Sequence, residues 1–168
     1  MFLWFLGTAL VSVWFVFRDP NFDYRPLAVG SLLPDLVDVP FGQSRWAHSL
    51  TVSIGVMALV MLGTAGRKPA RKPLLAIPIG MMLHLVWDGA FSATKVFWWP
   101  FSGDWGHTRV PSLERGWWNI VLELLGAAAL YWAWRRFGLA DAQRRREFLR
   151  SGHLIELDRD PTRSVPTC

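Results

Sequence analysis

The sequence predicts an all-α, polytopic membrane protein: a bundle of about four transmembrane helices with a re-entrant segment before the second. Three observations carry this. Hydrophobic residues make up 52% of the 168 and charged residues only 18%, against about 25% in soluble domains. The charges come in blocks, with long uncharged runs between short basic clusters. Tryptophans gather at the ends of apolar runs, as at Trp46, Trp98, Trp99, Trp117, Trp118, Trp132 and Trp134, where amphipathic rings anchor at headgroup depth.

The first apolar run, Phe2 to Phe17, stops at Arg18-Asp19-Pro20. It lacks a basic leader and a small-x-small cleavage site, so it is read as a retained span. Residues 18–45 form a Pro-rich connection. Within it Leu27 to Leu33 is apolar but too short to span, which suits a re-entrant segment. The second span is expected from Trp46 to Gly63, capped by Ser44. The third runs from Leu74 to Phe91, with Pro78 as a possible kink, and the fourth from Trp117 to Trp134. Residues 92–116 form an aromatic loop between them.

Two domains follow: a helical membrane domain over 1–138 and a basic tail over 139–168. The tail is expected to form a surface helix over 139–150 and to be disordered beyond it. The basic clusters are Arg67, Lys68, Arg71 and Lys72, then Arg135 and Arg136, then Arg144, Arg145, Arg146 and Arg150. By the positive-inside rule these face the cytoplasm. With an even number of spans both termini then lie in the cytoplasm, in an inner or plasma membrane. The net charge of +5 is explained by these clusters, so direct nucleic-acid binding is not expected. The single cysteine, Cys168, leaves no intrachain disulfide and no cysteine-based metal site.

The chemistry is expected from the acids and histidines beside the spans: Asp35, Asp38, His48, His84, Asp88 and Glu123. An aspartate at a helix centre costs about 2.5–3.5 kcal/mol on insertion scales, so such groups usually face a cavity or a partner. His84 and Asp88 are four residues apart and share a helix face. His48 starts the second span on its outer side, and Asp35 and Asp38 precede that span on the same side. Imidazole with carboxylate suits zinc or another divalent first-row metal, and Asp35, His48, His84 and Asp88 are the expected ligands. Asp38 is a further ligand or a group that orients a histidine, and Glu123 a general base. Each residue also has a plain structural reading, as a turn residue, a hydrogen-bonded pair or a protonated structural acid. His107 lies in a polar loop and His153 in the tail, and neither is expected to contribute.

Four segments in order resemble a known family. They are Gly30-Ser31-Leu32-Leu33-Pro34-Asp35-Leu36-Val37-Asp38, Ala47-His48-Ser49-Leu50, Leu83-His84-Leu85-Val86-Trp87-Asp88 and Phe97-Trp98-Trp99-Pro100-Phe101. Together they are similar to the membrane-bound metal-dependent hydrolases, also named LexA-binding, inner-membrane-associated hydrolases. Two positions depart from that pattern. Gln43-Ser44 stands where many members have His-Arg, and the first span contains no histidine. The resemblance implies a metal-dependent hydrolase with its site at the outer membrane–water interface, and that depth suggests a lipid-linked phosphoester as substrate. Other functions served by such residues are a structural metal or polar helix–helix lock, and a metal or proton path.

Overall fold

Phe2–Phe17 contains no proline and forms α1. The helix ends where Arg18 turns left-handed, at φ 46°, and returns its N–H to the Trp14 carbonyl. In the computed structural model the described residues are 1–41, 44–103 and 116–156. They build seven α-helices and, among the described residues, no strand. The all-α fold class is therefore observed. The remaining helices are α2 (Tyr24–Asp38), α3 (Leu50–Gly63), α4 (Lys68–Asp88), the single turn α5 (Thr94–Phe97), α6 (Trp118–Arg136) and α7 (Ala142–Ser151).

The segment expected to be re-entrant is the middle of α2. Its buried residues, Tyr24, Leu27, Gly30, Ser31, Pro34, Asp35 and Asp38, recur every three or four positions. That is one helix face, so the two aspartates continue the helix instead of ending it. Five long helices result where four were expected. Ser49, not Ser44, caps α3, its side chain accepting from the Thr51 N–H at 3.1 Å. The Trp46–His48 stretch is a separate 3₁₀ turn before it.

No helix of the described residues is long and apolar enough to cross a membrane. The four expected spans are therefore not seen as such in these helices. Helices α1, α2 and α3 have 16, 15 and 14 residues, short of the roughly 20 a hydrocarbon layer needs. Helix α4 has 21 residues but opens with Lys68, Arg71 and Lys72. Helix α6 has 19 and carries Glu123, Arg135 and Arg136.

The helices pair in register. Gly126 of α6 accepts Gly7 of α1, where a Cβ on Gly7 would stand 2.7 Å from the Gly126 carbonyl oxygen. Leu3 lies beside Glu123, and Trp14 beside Trp132, so α1 and α6 run parallel. Gly30 of α2 meets the Ile77 carbonyl, and a Cβ on Gly80 would stand 2.5 Å from the Leu27 carbonyl oxygen. Asp19, just before α2, meets Lys72 near the start of α4, and Asp35 near the end of α2 faces His84 near the end of α4, so the two helices run parallel at close range, antiparallel to the first pair. Only glycine permits this approach, and it decides where His84 sits.

The two ends of the bundle differ in character. Lys72 reaches Asp19 at 2.6 Å, and Arg25 donates to the Leu149 and Arg150 carbonyls at 3.1 and 2.9 Å. Trp14 Nε1 donates to Glu156 at 3.0 Å. The 18–23 connection, the 64–72 loop and residues 139–156 thus share one end. Met1 lies at the other end, beside Glu123 at 3.5 Å. Met1 and residue 156 therefore lie at opposite ends of the bundle, because α2 adds a pass. Residues 142–156, expected as a surface helix followed by a disordered end, dock on the bundle: Tyr24 N–H donates to the Gly152 carbonyl at 2.9 Å, and Leu154 joins the core of Val13, Phe22, Tyr24, Leu27 and Phe137. Residues 157–168 lie outside the described residues.

Candidate metal centre

At the end opposite the basic clusters, three elements converge. Helix α2 presents Asp35 and Asp38 from its last turn, α4 presents His84, and the 3₁₀ turn presents His48. All four side chains are buried, with exposures of 0–3%. Buried polar groups almost always have a hydrogen-bond partner, so an orphaned set calls for an explanation.

Both histidine rings are held from behind. His84 Nδ1 lies 2.7 Å from the Ser31 carbonyl oxygen, which can only accept, so Nδ1 carries the proton and donates. His48 Nδ1 lies 2.7 Å from Asp38 Oδ2, which also accepts the Arg45 N–H at 2.8 Å. In each neutral imidazole the lone pair then sits on Nε2. Both Nε2 atoms face one oxygen, Asp35 Oδ1, at 3.4 Å from His48 and 3.6 Å from His84. The three donor atoms lie within 4.8 Å of one another. The rings cross at 72° with centroids 5.3 Å apart. Phe5 of α1 lies on the His84 ring, 3.9 Å between centroids, and closes the apolar side of the group.

These separations discriminate between two arrangements. A charge-assisted N–H···O bond is about 2.7–2.9 Å long, and Asp35 Oδ1, His48 Nε2 and His84 Nε2 make no hydrogen bond. Bonds of 2.0–2.2 Å to a tetrahedral cation place its donors roughly 3.4 Å apart. The two Asp35–histidine separations, 3.4 and 3.6 Å, are close to that spacing, and the third pair lies within 4.8 Å. The donor set, two imidazoles and a carboxylate, fits zinc.

The other expected site residues have different places. Asp38 does not face the convergence point with its bonded oxygen. It orients His48, the second of the roles weighed for it. Asp88 is fully buried one turn beyond His84 on α4, but it is not one of the three residues whose donor atoms converge. Glu123, expected as a general base, stands beside the start of α1. Its carboxylate accepts the Leu3 N–H at 2.9 Å and pairs with the Met1 amine, holding the first turn of α1. His107 lies outside the described residues. His153 sits at the far end, near Asp19, Asn21 and Tyr24.

Sequence reasoning missed the Ser31 carbonyl, Phe5 and the Arg45 N–H. Backbone donors and acceptors leave no trace in residue type. Gly30 and Gly80 were the available signal, since glycines in the interior of apolar helices mark close backbone approach. Compared with family models, with curated proteins and with solved structures, the chain finds no match in any of the three.

Proposed function

We propose that Asp35, His48 and His84 hold a divalent cation, zinc by preference, and that the protein is a membrane-embedded metal-dependent hydrolase. The observation that carries the reading is the set of three buried, unbonded donor atoms at chelating separation. Structural zinc sites are closed by four protein ligands, whereas catalytic ones use three, the His₂-carboxylate set among them. When bound, the cation would supply Lewis acidity toward a phosphoryl or acyl oxygen and toward water.

The chain's own residues do the rest. Asp38 and the Ser31 carbonyl fix the two rings and their tautomers, so both Nε2 lone pairs stay aimed at one point. Phe5 and the burial of the group keep bulk water from competing.

Placement in a bilayer is supported by the bundle's flanks. Val16 of α1, Leu59 and Leu62 of α3, and Leu124 of α6 are 65–74% exposed, and wide apolar surface of this kind marks contact with lipid or protein. The helices are short for a layer of about 30 Å, and local thinning of the bilayer with snorkelling of basic ends accommodates such a bundle. The basic end then faces the cytoplasm of a cell or inner membrane. The metal group lies toward the outer surface, within reach of a lipid or lipid-linked phosphoester.

Burial of all three donors also favours a second reading, a structural cation without turnover. Hydrolysis separates them. Zinc-loaded protein is assayed against a panel of lipid phosphates and acyl lipids, beside His84→Ala. Turnover that the variant loses supports the enzyme; no turnover on any substrate, with metal retained, supports the structural cation.

A further inference from the structure

A cavity lies toward the other end of the bundle, away from the metal group. It is a cleft of about 430 Å³ between α1, α2, α6 and α7, within the roughly 300–1,000 Å³ range of small-ligand sites. Leu10, Ala28, Leu130, Phe148 and Leu154 line it with carbon. Arg145 stands on its wall, its guanidinium 6.0 Å from the Trp134 ring centroid and donating to the Leu139 and Ala140 carbonyls at 3.3 and 3.4 Å.

Helix α7 divides its residues between two environments. Phe148 is half-buried against the core, while Arg145, Arg146 and Arg150 are exposed. Within the helix only Glu147 opposes four arginines. Arg135 and the Arg67–Lys72 cluster stand at the same end of the bundle. An apolar slot beside a cationic helix fits an amphiphile with one long chain and a negative head.

We propose that this cleft takes an acyl chain of an anionic phospholipid, with Arg145 and the arginines of α7 meeting the headgroup phosphate. The chain replaces the void between Leu10, Ala28 and Leu130, and the headgroup pins α7 to the bilayer surface. The site is independent of the metal group and does not require hydrolysis.

The test uses the full chain in detergent, followed by native mass spectrometry. The probes are palmitoyl-oleoyl phosphatidylglycerol, phosphatidylcholine with the same chains, and glycerol 3-phosphate. Phosphatidylglycerol should be retained at least about fivefold better than phosphatidylcholine, the ratio for one basic contact near a membrane surface. Glycerol 3-phosphate should neither bind nor compete. Arg145→Gln, an exposed position, should lower phosphatidylglycerol to the phosphatidylcholine level. Phosphatidylglycerol carrying a photoreactive diazirine at its acyl terminus should label Leu10, Ala28 or Leu130. Equal retention of the two lipids overturns the proposal, as does competition by glycerol 3-phosphate, which would mean a free-anion site. Labelling spread equally over Leu59 and Leu62 of α3 overturns it too, since that is bulk lipid contact.

Discussion

Asp38 Oδ2 and His48 Nδ1 lie 2.7 Å apart with both side chains buried, and the same oxygen accepts the Arg45 N–H. The aspartate thereby fixes the ring and the loop that carries it. It makes His48 a better electron donor at Nε2, the nitrogen facing Asp35.

Asp38→Asn tests this. The amide keeps the shape but loses the negative charge that supports the imidazole. Loss of such an outer partner typically costs 10–100-fold in metal affinity. Chelator competition should show a weakening of that size with helicity unchanged. Unaltered affinity would remove Asp38 from the centre.

Gly80→Ala tests the positioning of His84. A Cβ there would stand 2.5 Å from the Leu27 carbonyl oxygen and 2.6 Å from the Ser31 nitrogen. The helices must part, at an overpacking cost of about 1–3 kcal/mol, and the Ser31 carbonyl moves off His84. Both thermal stability and zinc affinity should fall. Gly55→Ala is the control. A Cβ at Gly55 meets nothing within 4 Å, so helix propensity should raise stability by about 0.5–1 kcal/mol and leave metal untouched.

Glu123→Gln separates a helix cap from a catalytic base. The carboxylate holds the Leu3 N–H at 2.9 Å. The amide should lower the melting temperature slightly and leave metal content and any turnover as in the wild type. An activity loss of ~10²–10⁴-fold, the range for acid–base groups, would restore the general-base role.

Asp19 gives a pH signature at the far end. Its hydrogen bond from Lys72 holds its carboxyl below the ordinary 3.8. A depressed folded value means the stabilisation is present above pH 3.8 and is lost as pH falls through the folded value. Asp19→Asn should therefore lower stability at neutral pH and converge with the wild type in acid. The carboxylate is 31% exposed and its lysine partner 51%, so the difference should also shrink in high salt. A difference that persists at low pH would contradict the assignment.

The helical class, the positions of α1, α3 and α6, and the residue set Asp35, His48 and His84 were legible in the sequence. Apolar runs locate helices, and ionisable residues at common depth locate a polar layer. Helix α2 was not legible as a single helix because Asp35 and Asp38 broke its apolar run. Their period of three matched the buried face, which only the packing against α4 reveals. The contact of Glu123 with the start of α1 was not legible, because depth alone does not distinguish a residue facing the polar layer from one capping a neighbouring helix. The docking of residues 142–156 was hidden by the arginines of α7, whose charge masked the single inward Phe148.

The most direct test of the account is elemental analysis of the purified full chain after zinc loading and removal of free metal. The predicted result is about one zinc per chain in the wild type and in Glu123→Gln, with loss of bound zinc in His84→Ala and His48→Ala while circular dichroism shows the helices intact. Zinc that is absent from the wild type, or retained equally by the two histidine variants, would contradict it.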